Sequence, residues 1–117
     1  MATFGRFIRD CREALRSKDP AFSIRRVAQR MGIQPSYLSK VERDEVPPPS
    51  EETTQKLARE LGVDPDVLLA LAGKVSSDLQ EVIRKRPALF AELIRGLKEM
   101  PAHAVLRIVR EVRDGEW

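Results

Sequence analysis

The chain has little of what enzymes, secreted domains and membrane proteins are usually built from. Its one cysteine, Cys11, excludes an internal disulfide and suits a reducing compartment. Its one histidine, His103, has no His or Cys companion at zinc spacing and no triad partners, so a surface position is the default for it. There is no glycine-rich phosphate loop and nothing that assembles an active site, so neither catalysis nor a cofactor or metal is expected. Aromatic residues are only 5%, and no segment alternates apolar with polar residues, which removes the strand signals. No run approaches the ~18 apolar residues of a membrane span, and the N-terminus lacks the apolar stretch of a signal peptide. The expectation is a cytoplasmic, all-α protein.

Charge, by contrast, is abundant and unevenly placed. Residues 1–43 hold ten Lys/Arg against four Asp/Glu, a balance of +6, whereas residues 44–73 hold two against seven, a balance of −5. Basic charge confined to one third of a chain whose net charge is only +3 suggests a local phosphate-binding surface. The plainer alternative is a solvated helical face.

Helical periodicity runs throughout. Phe4, Phe7, Ile8, Cys11 and Leu15 define a first helix over residues 4–17, with arginines on its other face, broken by Asp19-Pro20. Cys11 lies on the apolar stripe and is expected to be buried rather than redox-active. Ser23 is the N-cap of a short second helix with Ile24, Val27, Ala28 and Met31 inward, closed by Gly32. A third helix opens at Gln34-Pro35 and runs to Arg43, burying Leu38 and Val41. After the stiff connector Pro47 to Pro49, Ser50 caps a fourth helix ending at Leu61-Gly62. Asp64-Pro65 start a fifth that covers Val67, Leu68 and Leu71 and ends at Gly73. Five helices in residues 1–73 make a complete domain. Residues 74–117 form a helical extension with three amphipathic segments, 77–85, 87–99 and 101–113, the last two opened by Pro87 and Pro101.

The informative stretch is SIRRVAQRMGIQPSYLSKVER, residues 23–43. Two short helices that meet at an angle need a small residue at their approach, a glycine in the turn and apolar anchors on the second helix. Ala28, Gly32, Ile33, Leu38 and Val41 meet those needs at the spacing that lets a second helix enter a major groove. Continuing through VPPPSEETTQKLARELGVDPDVLLAL, the chain resembles the Cro/CI-type (XRE-like, lambda-repressor-like) helix-turn-helix regulators over residues 4–73, most strongly in LSKVER and LARELGVD. The alternative weighed against it is a helical domain of the same arrangement that does not touch DNA.

The resemblance implies double-stranded DNA as partner and assigns roles to positions. Gln34, Ser36, Ser39 and Lys40 would meet bases, since Gln pairs with adenine and Lys donates to guanine; Pro35 could offer an apolar contact to a thymine methyl. Ser23, Arg25, Arg26, Arg43 and the hydroxyl of Tyr37 would meet the phosphate backbone. It also implies a structural pair, Arg12 with Glu42. Two departures stand out. The segment between the first two helices, residues 17–22, is longer than usual. Asp44-Glu45 stands where the family often has a glycine and a basic residue, and two carboxylates there would repel a DNA backbone.

A lone module of this kind reads few base pairs, and two-fold pairing sets half-sites about 34 Å apart. Residues 77–113 are therefore expected to build a homodimer, the alternative being extra core in a monomer. Trp117 either seals such an interface or stays in solvent. The expected function is a transcriptional regulator, a repressor on a palindromic operator. The rivals are an antitoxin-type protein whose C-terminal helices bind a partner protein, and an adaptor that has lost DNA binding.

Overall fold

A computed structural model describes residues 2–115, so the expectations for Trp117 fall outside the described residues. These residues form α-helices and one 3₁₀ turn, with no strand among them, and divide into two units between Ser76 and Ser77. The first unit holds α1 (Phe4–Arg16), the 3₁₀ turn (Pro20–Phe22), α2 (Ile24–Met31), α3 (Pro35–Glu42), α4 (Glu51–Leu61) and α5 (Pro65–Leu71). The second holds α6 (Ser77–Lys85), α7 (Pro87–Leu97) and α8 (Ala102–Asp114).

Side-chain oxygens start most helices of the first unit. The hydroxyls of Thr3, Ser23 and Ser50 accept from the N–H groups of Arg6, Arg26 and Thr53, and the Asp64 carboxylate accepts from Asp66. Four helices, α2, α3, α4 and α5, stop in the same way, at Gly32, Asp44, Gly62 and Gly73. Gly32 and Gly62 adopt left-handed conformations, with φ of 72° and 69°, which let the next residue turn back. Ile33 then donates to the Ala28 carbonyl and Val63 to that of Ala58, while the glycines donate one residue later, to Gln29 and Arg59. This double bond pattern is a Schellman motif, and Ile33 and Val63 pack against the core as its apolar partners.

The core joins all five helices through Phe4, Ile8, Val27, Leu38, Leu57 and Leu68 with their buried neighbours. Fully burying each large apolar side chain contributes about 1.5–3 kcal/mol. Cys11, Leu15 and Phe7 are only half-buried at its edge. One expectation is corrected on α5, where Val67 is 50% exposed and Leu69, not singled out in the sequence, is 1% exposed. The stripe facing the core is Leu68, Leu69 and the half-buried Leu71 and Ala72, because α4, the main packing partner of α5, covers that side. Residues 74–76 belong to the first unit; the Lys74 ammonium donates to the Pro49 carbonyl and Ser76 is buried.

Where α3 ends, α1 begins. A Cβ on Gly5 would collide with the carbonyl oxygens of Val41 and Glu42 and with the Asp44 carboxylate, so only glycine permits this approach. Asp44 itself sits at φ 57°, a left-handed conformation that costs a non-glycine residue about 1–3 kcal/mol. Its carboxylate accepts from the Gly5 N–H at 2.9 Å and the Thr3 hydroxyl at 2.6 Å, which offsets that cost and caps α1.

The second unit is built differently. None of the described residues in α6, α7 or α8 is buried. Leu89 is 65% exposed, Val112 63%, and Leu93, Ile94 and Val109 nearly half exposed.

Candidate nucleic-acid interface

Three residues, 32–34, join α2 to α3. On α2 the burial of Val27, Ala28 and Met31 leaves Arg25, Arg26 and Gln29 in solvent. Successive residues of an α-helix are turned by about 100°. Burying Leu38, Val41 and Glu42 on α3 therefore places Ser36, Lys40 and Arg43 on one outer stripe at i, i+4 and i+7, and all three are exposed.

The remaining candidate residues lie around that stripe. Gln34 is the exposed N-cap of α3 and makes no capping bond, so its amide is uncommitted. Pro35 is half-buried and lines a concavity of about 510 Å³ with Arg25, Gln29 and Ile33. Gln29 was not singled out in the sequence; its spacing of four from Arg25 was the available signal. Ser39 is half-buried on the side of the stripe nearer α1, so it is less accessible than Ser36 or Lys40. Tyr37 packs its ring partly against the core. The Ser23 hydroxyl oxygen accepts from the Arg26 N–H, while the first-turn amides of α2 have no intrahelical acceptor, as at any helix start.

The cations are not equally free. The side chains of Arg25, Arg26 and Lys40 make no hydrogen bond or ion pair among the described residues. Arg43 donates to the Ser39 carbonyl at 3.2 Å and pairs with Glu45 at 3.3 Å. Both partners of that pair are about half exposed, so it contributes little and yields readily to a phosphate. The acidic loop is thus less repellent than its sequence suggests, since Asp44 is bound to the start of α1 and Glu45 to Arg43.

Beneath the stripe, Arg12 fixes the geometry. Its guanidinium donates to both Glu42 oxygens, at 2.6 and 2.9 Å, in the pairing the family resemblance implied. It also donates to the Phe22 carbonyl at 3.1 Å and to Glu13 at 2.8 Å. The Glu42 hydrogen bond, above all, raises its pKa further, so it stays charged although it is 2% exposed. One side chain on α1 thereby ties the end of α3 to the residue before the N-cap of α2. Arg30 holds the long connector from the other side: it donates to the Ala21 carbonyl at 2.6 Å and to Glu60 at 2.8 Å, with its guanidinium 5.3 Å from the Phe22 ring centre.

Other chemistry is sparse. Cys11 is half-buried, and burial, helped by nearby Asp10, pushes its thiol pKa up and away from thiolate. His103 is exposed on α8. No cluster of His, Cys, Asp or Glu able to hold a metal occurs among the described residues, and none of their helices is long and apolar enough to cross a membrane.

Two short helices about a left-handed glycine, with an outward polar stripe on the second and its base locked to α1, define a helix-turn-helix module. The helix-turn-helix domain family matches residues 3–71, more than half of the chain, and the chain belongs to this family of XRE-like DNA-binding domains. No curated protein and no solved structure matches it.

Proposed function

We propose that the chain is a transcriptional repressor that binds a palindromic operator as a homodimer. The observation that carries this reading is the exposed Ser36, Lys40 and Arg43 stripe on α3, flanked by the unpaired cations Arg25 and Arg26 of α2. In this reading Gln34, Ser36 and Lys40 meet base edges, Pro35 and Ser39 reach the margins of the same groove, and Ser23, Arg25, Arg26, Tyr37 and Arg43 hold the phosphates.

The dimer rests on the second unit. A unit of about 40 residues rarely stands alone without disulfides, metal or a second subunit. The only cysteine is in α1, and most large apolar side chains of α6, α7 and α8 remain exposed, with Ile83, Phe90, Leu97, Val105 and Ile108 half-buried. Residues 77–117 carry eight Lys/Arg against seven Asp/Glu, so two copies meet without net repulsion. The same exposed surface also favours a second reading, in which these helices grip a different protein and DNA binding is autoregulatory.

The test is capture of fragmented host DNA, including the region upstream of the gene, by the purified chain at two salt concentrations. One discrete palindromic fragment surviving the higher salt establishes the repressor reading and supplies the operator. Weak, salt-sensitive and sequence-blind binding alone would sink it in favour of the partner protein. On a recovered operator, Gln34→Ala should lose about 1–3 kcal/mol of discrimination at one position per half-site.

A further inference from the structure

Two adjoining clefts open between the start of α1 and the end of α3, one of about 160 Å³ and one of about 410 Å³. Both are lined by Arg9, Glu42 and Arg43; the smaller adds Ser39 and the larger adds Arg6. The acids around them are already engaged. Both Glu42 oxygens accept from Arg12, both Asp44 oxygens accept from Thr3 and Gly5, and Glu13 accepts from Arg12. Not all of the cations are. The Arg9 guanidinium makes no hydrogen bond or ion pair among the described residues; Arg6 has an exposed ion pair with Asp10 at 3.3 Å, and Arg43 has one with Glu45 at 3.3 Å and a hydrogen bond to the Ser39 carbonyl at 3.2 Å. Each cleft is lined by three arginines against two carboxylates, and the Arg9 guanidinium among them is unspent.

We infer that Arg9 and Arg43 clamp a phosphodiester of the DNA backbone from two sides, with Arg6 supporting from the rim. This rests on the DNA-binding reading above and adds to it a contact from α1, outside the helix pair that carries the base-facing residues. A DNA phosphate is favoured over a free anion because Arg43 belongs to the same outer stripe as Ser36 and Lys40, so the cleft opens beside the face that meets the groove. Guanidinium suits the role, since its fork binds two phosphate oxygens at once. The amide donors at the start of α1 do not compete for that phosphate: those of Gly5 and Arg6 are already held by Asp44 and Thr3.

The experiment is a salt titration of affinity for the full chain, by fluorescence anisotropy, on a random-sequence duplex and on the recovered operator. Arg9→Ala should weaken both by a similar factor of about ten and flatten the dependence of log affinity on log salt by about one per protomer. Arg9→Lys should keep most of the slope and lose part of the affinity. Helical circular dichroism and melting temperature should stay close to wild type, because the Arg9 side chain makes no hydrogen bond or ion pair among the described residues and adds only a minor charge interaction with exposed Glu13. If wild type binds and Arg9→Ala leaves both affinity and slope unchanged, the clamp is wrong while the DNA reading stands. If wild type binds neither duplex, both fail. A third arm titrates inorganic phosphate by calorimetry; Arg9-dependent phosphate binding with an unchanged DNA slope would also overturn the assignment, making the cleft a small-anion site.

Discussion

The two units of this chain use nearly the same residue types to opposite ends. In the first, five helices close on one another around Ile8, Val27, Leu38, Leu57 and Leu68, and the surface left over is polar and chemically specific. In the second, helices of similar length and amphipathicity bury no residue among those described, and what they present is Leu89, Leu93, Val109 and Val112. A closed core frees a surface for recognition by charge and hydrogen bonds. An open one leaves an apolar surface whose stability depends on what covers it. The first unit is thus suited to read a polyanion, and the proposed role of the second is to hold protein.

The sharpest way to break that contrast is to unlock the first unit from within. Arg12→Ala would strand the buried Glu42 carboxylate and leave the Phe22 carbonyl without its donor. It should cost about 3–5 kcal/mol in urea unfolding, because an uncompensated buried charge is the expensive outcome. Replacing both partners, as Arg12→Met with Glu42→Leu, should recover most of that loss, since the pair itself is near break-even against well-packed apolar groups. A double variant as unstable as the single one would show that the lost links to Phe22 and Glu13 dominate instead.

Next in size is a matched pair of truncations, one in each unit. Leu38→Ala should cost about 2–5 kcal/mol, independent of protein concentration, as expected for a cavity in a closed core. Leu93→Ala, on the open surface, should act through association if the second unit dimerises as proposed: its effect on the melting temperature should shrink as the chain is diluted. Equal, concentration-independent losses would mean that the second unit closes on itself. Gly5→Ala comes third, at about 1–3 kcal/mol, because the new methyl must push apart the start of α1 and the end of α3. Its loss of DNA affinity should exceed that of an equally destabilised core variant, since the displaced segment carries Arg43.

The five helices of the first unit were legible because each has both a periodic apolar stripe and a local punctuation mark, such as Ser23, Gly32, Pro35, Ser50 or Gly62. Local rules set those features, so sequence suffices. The outer stripe of α3 followed from the same periodicity, as the complement of Leu38 and Val41. What escaped depended on distant neighbours. On α5, Val67-Leu68-Leu71 is as good a helical stripe as Leu68-Leu69-Ala72, and only the position of α4 chooses between them. Asp44 reads as a repulsive charge until Gly5, thirty-nine residues earlier in the chain, is seen to donate to it. Arg9 was one arginine among several on the outer face of α1, and nothing local marks it as the one facing the end of α3.

The smallest expected effect tests whether the Arg12 cluster reaches the surface. Glu13 is exposed, and the hydrogen bond from Arg12, followed by the charge of Arg12, holds its carboxyl below the usual pKa; Arg16, at 3.9 Å, and Arg9 contribute less. A carboxylate whose folded pKa is depressed contributes stability above its unfolded pKa and loses it as pH falls through the folded value. Glu13→Gln should therefore lower the melting temperature slightly at neutral pH, and the gap from wild type should close as pH drops below the ordinary carboxylate range. Salt should narrow the gap as well, because the group lies in solvent. A gap that persists unchanged into acid would assign the difference to packing or helix propensity, and would confine the Arg12 network to its buried partners, Glu42 and Phe22.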